Sequence, residues 1–321
     1  MSKCIAFHSY KGGTGKTTIA SNFAALLAKK GYNVFLLDLD VYAPSMQSYF
    51  KKEPKKWIND YLYSNAELDD ILLDLTPTIS EKNYDGAKNK NHANGRLWVA
   101  FSNSKKEEIY KLEGGTSGGG GAGRQDTSKI QLLRRFILLR EQLISQYDAD
   151  YIIIDTSPGI RYWSINALAV ADTLFLTLKM GDLDIEGTRK MADEIYGSFT
   201  KFGAKSYLLL NRVAGYCVPN IRDETPMVSP ATVSNDDSTL HLRNNGPSGL
   251  MQLQQEQTKK DVKNMLSDEV GMNIISAIPC YCDIQFTRKE FLTVLRYPDH
   301  PFAKQVEQLI ESMQGVLQTK V

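Results

Sequence analysis

Two lysines set among glycines, and three aspartates that end apolar runs, are the groups of this chain suited to phosphate chemistry. The lysines stand in "HSYKGGTGKTT", residues 8–18. Gly12, Gly13 and Gly15 permit a tight backbone path that turns successive N–H groups toward one point, where an anion can sit. A helix starting near Lys16 adds the positive end of its dipole. From there the Lys16 ammonium reaches the β- and γ-phosphates of a nucleotide, and the Thr17 hydroxyl can ligate Mg²⁺. Gly12, Gly13, Thr14, Gly15, Lys16, Thr17 and Thr18 therefore read as a loop that binds the phosphates of a nucleotide. One position departs from the ordinary G-x-x-x-x-G-K-[ST] spacing: where the first glycine should stand there is Tyr10, followed by Lys11. A second cation on a loop that faces phosphates would offset negative charge that develops in phosphoryl transfer.

The acids follow in "LLDLD" (36–40) and "YIIIDTSPG" (151–159). Asp38 and Asp40 are two residues apart on a predicted strand, so they point to the same side. They sit at its carboxyl end, where open α/β sheets place ligands. Asp155 closes four apolar residues and can hold a Mg²⁺-bound water. Pro158 and Gly159 suit a loop that changes path with the γ-phosphate.

Such groups need strands to aim them and helices to brace them. Apolar, β-rich runs recur at 3–10, 32–40, 96–102, 150–156, 172–179, 205–213 and 272–279, with helical periods between them. The clearest helices are 15–31, ending at Gly31, a stretch around 57–74, and 129–147. This alternation predicts an α/β fold: a doubly wound, mainly parallel sheet of about seven or eight strands with helices on both faces. The near-continuous apolar character of the runs fits strands covered on both sides. We read residues 1–321 as a single domain with two interruptions. The glycine-rich segment 113–128 is expected to be a flexible loop holding neither helix nor strand, and 214–249 to be a polar insertion.

Composition narrows the class. The chain has 321 residues, 42% hydrophobic and 23% charged, with a net charge of +1, so bulk charge argues for no particular partner. Cys4, Cys217, Cys280 and Cys282 are too few and too scattered for a disulfide framework. No apolar run reaches the roughly 20 residues that span a bilayer, and no leader pattern opens the chain, so a cytoplasmic protein is expected. The last segment, 301–321, has Phe302, Val306, Leu309, Ile310, Met313 and Leu317 at helical spacing. With Glu307 and Glu311 among them, it suits a core-packed helix better than a peripheral membrane anchor.

"KGGTGKT" resembles the deviant Walker A motif, K-G-G-x-G-K-[ST], of the MinD/ParA/Mrp group of P-loop ATPases. The resemblance spans about 1–212 and 272–317, with weak matches in 45–95. It makes the nucleotide ATP, and it implies that Lys11 reaches across an ATP-bound homodimer to the phosphates of the other subunit. It implies catalytic roles for Lys11, Lys16 and Asp40, the last orienting the attacking water. It makes Thr17, Asp38 and Asp155 the Mg²⁺ set, the two aspartates through water. Asn211 would pair with adenine, and Pro279 and Asp283 loosely match a loop that packs beside the base. Slow hydrolysis stimulated by a protein partner follows from the same resemblance.

Three cellular roles remain open at this point. A MinD- or ParA-like organiser would position a cargo on a surface: membrane through the last helix, or DNA through "KKEPKK" (51–56) and "FTRKEF" (286–291). An Mrp-like iron–sulfur carrier is suggested by "VYAPS" (41–45), similar to that branch's "IYGPS", and by Cys280 and Cys282. The third role is an ATP-binding scaffold.

Overall fold

The computed structural model describes residues 2–80, 95–103, 105, 107–108, 122–201, 203–213, 264–285 and 290–318. Seven of its strands lie on the apolar runs: β1 (Lys3–His8), β2 (Asn33–Leu39), β4 (Arg96–Ala100), β5 (Tyr151–Thr156), β6 (Thr173–Lys179), β7 (Lys205–Val213) and β8 (Ile274–Pro279). β3 (Leu73–Asp74) is a short antiparallel strand beside β4. The eight strands form one sheet in the order β3-β4-β2-β5-β1-β6-β7-β8, and every pairing other than β3·β4 is parallel.

Alternation within the strands explains the layering. Cys4 and Ala6 of β1 enter one apolar core, while Ile5 and Phe7 enter the other. β2 divides likewise, with Phe35, Leu37 and Leu39 on one face and Val34 and Leu36 on the opposite one. Helix α1 (Lys16–Lys29) covers the second face together with the last helix, α5 (Pro301–Gln318). On that side Phe7 meets Phe23 and Phe175 edge-on, with centroids 5.5 and 5.2 Å away. The first face is covered by α2 (Ala122–Tyr147), α3 (Tyr162–Ala169) and α4 (Asp182–Met191), which runs into a π-helical turn at Ala192–Tyr196. In α5, Phe302, Val306, Leu309, Ile310 and Met313 are all buried, so its apolar stripe is spent in the core as the sequence suggests. No helix among the described residues is long and apolar enough to cross a membrane.

Two expectations need correction. The helical stretch around 57–74 is two short helices, Ile58–Leu62 and Leu68–Ile71, and then β3. Two residues of strand are too short to show a period, and β3 exists only because β4 offers it a free edge. The segment 113–128 was expected to hold no helix, yet α2 starts at Ala122. Elongating a helix already formed over 129–147 costs far less than starting one, so one glycine near the end is tolerated. Residues 113–121 and the polar insertion 214–249 lie outside the described residues.

The chain leaves β1 toward β2 on one side, and later crosses from β5 over β1 to β6 on the other. This reversal opens a crevice at the carboxyl end of β1, the place where doubly wound sheets bind ligands.

Candidate functional site

The loop between β1 and α1 lies at that crevice. Gly13 and Gly15 have φ of 74° and 89°, in the left-handed region. At Gly15 a side chain is also excluded by space, because its Cβ would collide with the Asn211 amide nitrogen. Helix α1 begins without a side-chain cap and without an acid in its first turn. Its first N–H groups are therefore offered to a ligand rather than to the protein. Lys16 is 95% buried, a cost that a long cation bears only with partners. Its Nζ donates to Ser9 Oγ at 3.0 Å, and Ser9 Oγ donates to the Lys11 carbonyl at 2.6 Å. The ammonium is thus held back along its own loop. Thr14 Oγ1 is buried without a hydrogen-bond partner among the described residues.

The acids come together by register. Asp38 of β2 and Asp155 of β5 are direct cross-strand partners. Both are buried, and Asp38 Oδ2 and both carboxylate oxygens of Asp155 find no hydrogen-bond partner among the described residues. Asp38 Oδ1 accepts from the Asp40 N–H at 3.0 Å, and Asp40 Oδ1 accepts from the Ala43 N–H at 3.3 Å. Burial pushes the Asp155 carboxyl up to about 7, partly offset by the Lys16 charge and the nearby Thr17 hydroxyl. Burial, and then the charge of Asp155, raise Asp38 as well. Two adjacent buried carboxyls with unused oxygens, beside an alcohol and an ammonium, fit a hydrated Mg²⁺: oxygen donors for a hard cation whose charge would reverse both shifts.

Lys11 and Tyr10 lie on the other flank. Lys11 Nζ pairs with Asp184 Oδ1 of α4 at 3.1 Å within the same chain. The Tyr10 ring lies against Gly187, filling the space where any side chain on that residue would stand. The segment 157–161 is tied to the same loop: the Gly159 N–H donates to the Ser9 carbonyl at 2.8 Å. Ser157 Oγ and Trp163 Nε1 both donate to the Leu39 carbonyl, at 3.1 and 3.2 Å, anchoring that segment to the end of β2.

At the base side, Asn211 Nδ2 donates to the Thr14 carbonyl at 2.6 Å, so one of its two N–H donors is engaged by the phosphate loop. A cavity of about 320 Å³ opens beside it, with Pro279 on its wall. Asp283 is drawn instead to His300, whose Nε2 lies 2.7 Å from Oδ2 and holds that carboxyl below the usual range. His300 Nδ1 in turn accepts the Phe302 N–H at 3.0 Å, closing the first turn of α5. Cys280 donates its backbone N–H to the Val213 carbonyl at 3.0 Å, while Cys217 lies outside the described residues.

The loop residues, Asp38, Asp40, Asp155, Asn211 and Pro279 thus surround one crevice. Sequence reasoning missed Ser9, Asp184, Gly187 and His8. His8 is fully buried beneath the loop, and its Nδ1 lies 2.6 Å from Thr156 Oγ1. Thr156 Oγ1 gives its own proton to the Phe7 carbonyl at 3.0 Å, so the Nδ1–H is the donor to it. Burial and the Lys16 charge push His8 down to about 3 and keep it neutral. Its place directly before Ser9 and the loop was the only signal in the sequence.

Comparison with known proteins bears on the fold and the family. The model of the CobQ/CobB/MinD/ParA nucleotide binding domain matches residues 5–226. A putative replication protein A of Rhizobium rhizogenes is 24% identical over 289 residues, 83% of this chain and 67% of that protein. The sporulation initiation inhibitor protein Soj of Bacillus subtilis is 25% identical over 204 residues, 61% of this chain and 65% of Soj. The chain thus spans about two thirds of the length of these relatives. The septum site-determining protein MinD of Pyrococcus horikoshii, solved with Mg-ADP, superposes with a TM-score of 0.62 at 17% identity, covering 100% of this chain and 99% of that one. That likeness shows the shared fold. With that family model matching more than half of its length, this chain belongs to the CobQ/CobB/MinD/ParA nucleotide-binding domain family.

Proposed function

We propose that this protein is a Mg-ATP-dependent ATPase of the MinD/ParA kind, whose nucleotide cycle switches it between a monomer and a homodimer that positions a cargo. The observation that carries the reading is the cross-strand pair Asp38–Asp155, buried with unused oxygens beside Lys16 and Thr17. Such a pair costs stability by itself, and a bound cation would complete it. Thr17 would ligate the Mg²⁺ directly, and Asp38 and Asp155 would accept from its waters. The ion would neutralise charge on the β- and γ-phosphates.

The chain's own groups do the rest. The α1 N-terminus and the loop N–H groups hold the phosphates, and Lys16 exchanges Ser9 for a phosphate oxygen. Asp40, beyond the end of β2, orients a water toward the γ-phosphate. No strong base is needed, because positioning and charge supply most of the acceleration in phosphoryl transfer.

Dimerisation rests on Lys11. The Lys11 side chain is 44% exposed and that of its partner Asp184 23%, and a partly exposed ion pair of this kind contributes only about 1 kcal/mol. A charge-assisted contact to phosphate is stronger, about 1.5–3 kcal/mol, so exchange with a second subunit's nucleotide is favourable. Large apolar residues adjoin the same groups: Ile160 and Tyr162 follow Gly159, and Met180 and Leu183 precede Asp184. Leu183 is 72% exposed, and such a cluster suits burial against another copy. A hydrolysis-stimulating protein partner, and membrane or DNA as the surface, belong to the same proposal. The test is light scattering and phosphate release for the wild type and Lys11→Ala. The wild type should dimerise with Mg-ATP and hydrolyse slowly, and Lys11→Ala should do neither. A Lys11→Ala protein that dimerises and hydrolyses like the wild type would overturn the trans role.

A further inference from the structure

Helix α2 is apolar on two sides. Phe136, Leu139 and Leu143 face the sheet and are buried, whereas Ile130, Ile137 and Leu138 are 54%, 46% and 40% exposed. The other long covering helix, α5, shows the ordinary arrangement of a solvated helix, with Lys304, Gln308, Glu311 and Ser312 on its outer side. In α2 the exposed residues Ile130, Arg134, Ile137, Leu138, Glu141 and Ser145 follow helical spacing and share one outer stripe.

The charges on that stripe are also unlike the others of the helix. Arg135 donates to the Tyr61 carbonyl, and Arg140 to the Val170 carbonyl and Asp172. Arg134 and Glu141 have no ion-pair partner among the described residues. They stand at equal distances on either side of the midpoint between Ile137 and Leu138. The stripe is therefore its own complement. Turned end for end about that midpoint, a second copy sets its Glu141 opposite Arg134 and its Arg134 opposite Glu141. Ile137 and Leu138 then meet their own counterparts at the axis. Ile130 comes opposite Ser145, a small residue whose hydroxyl is already turned back onto the Glu141 carbonyl. Two copies running in the same direction would instead set like charges against each other, so charge selects the antiparallel pairing. A lipid surface would favour cations around an apolar stripe, and here an unpaired carboxylate stands in the middle of it.

We infer that the outer stripe of α2 is a self-association surface, on which a second copy of this chain docks antiparallel about a twofold axis between Ile137 and Leu138. The stripe lies over a face of the sheet, whereas the phosphate loop lies at the carboxyl edge, so this pairing leaves the crevice open. It is separate from the nucleotide-dependent dimer proposed above and does not rest on it. A contact made by one helix face belongs to the small, transient class, with a dissociation constant in the micromolar range or weaker.

The experiment is sedimentation equilibrium of the full chain over a wide concentration range, without nucleotide and with a chelator, which silences any nucleotide-dependent dimer. The variants are Ile137→Ser, Arg134→Glu, Glu141→Arg and the double reversal that exchanges the two charges. Thermal unfolding is the folding control, and if one variant is unstable the others still carry the test. The wild type should show a monomer–dimer equilibrium. Ile137→Ser and each single reversal should weaken it by about tenfold or more, because symmetry makes each change act twice. The double reversal should return to within about threefold of the wild type. A wild type that is monomeric throughout, single reversals without effect, or a double reversal no better than the singles would each overturn the inference. So would a monomeric wild type that floats with vesicles of anionic phospholipid and loses them in Ile137→Ser, which would give the face to a membrane. All of these results leave the nucleotide reading untouched, since ATP titration of the same variants reads that site by itself.

Discussion

Aspartates occupy both edges of the sheet, and the two edges treat them in opposite ways. At the amino edge, Asp172 precedes β6: its Oδ2 accepts the Cys4 N–H at 2.8 Å, and its Oδ1 accepts from Arg140 at 2.8 Å. Asp150 precedes β5 and accepts the Asn33 N–H at 2.8 Å. Each fastens the first N–H of a neighbouring strand or the one beside it, so these carboxylates are structural and satisfied. At the carboxyl edge Asp38 and Asp155 face each other with oxygens unused. The residue type and the setting at a strand end are the same. What differs is whether the protein supplies the partner or leaves that to a ligand. A carboxylate with its partner built in holds the fold, whereas one kept without a partner costs stability and is retained for binding.

The strongest way to break this comparison is Asp155→Asn. It should lower Mg²⁺-dependent ATP hydrolysis by roughly 100-fold or more, since charge stabilisation at the metal is lost. The same change should stabilise the metal-free protein by about 1 kcal/mol at pH 8, because a buried charge is removed. Phosphate release and chemical unfolding in a chelator read the two effects. A destabilised Asp155→Asn protein would mean that the pair holds the fold after all.

The pH dependence sharpens the point. Burial pushes the Asp155 carboxyl up to about 7 in the folded protein against an ordinary 3.8, so between these values the native state binds more protons than the unfolded one. Its contribution to stability therefore falls as pH rises from about 4 to about 7 and levels off above. Unfolding curves across that window, wild type minus Asp155→Asn, should show this slope in the metal-free protein. A flat difference would place Asp155 in a solvated setting.

The smallest effect is expected at the other edge. Asp172→Ala strips the Cys4 N–H and Arg140 of their acceptor and should cost about 1–2 kcal/mol, the partly exposed ion pair contributing little of it. ATP affinity should stay within about twofold, because the site is at the far end of the strands. Denaturant unfolding and nucleotide titration check both. A loss of ATP affinity without a loss of stability would erase the distinction between the edges.

What the sequence disclosed was whatever a short window contains. The loop from Gly12 to Thr18 is contiguous, and its strand and helix flank it directly. Seven strands were legible because burial on both faces makes them unbroken apolar runs. β3 was hidden, since two residues carry no period. The Asp38–Asp155 pairing depends on register between strands over a hundred residues apart, which no local pattern encodes. The same holds for Lys11 with Asp184, Thr18 with Tyr49, and Tyr10 with Gly187. For Asp283 the resemblance implied only a loose match to a loop beside the base, and its pairing with His300 is a contact that no local pattern encodes.

The contact between Tyr10 and Gly187 has a mechanical consequence. An aromatic ring seated where a helix carries no side chain works like a key in a shaft. Helix α4 cannot turn about its axis without expelling the ring, and the ring cannot leave without drawing the backbone between Ser9 and Gly12 along. The start of the phosphate loop and helix α4 are thus geared to each other through one residue that has no side chain, and a bulkier residue at 187 would have to push the Tyr10 ring, and the loop behind it, out of place.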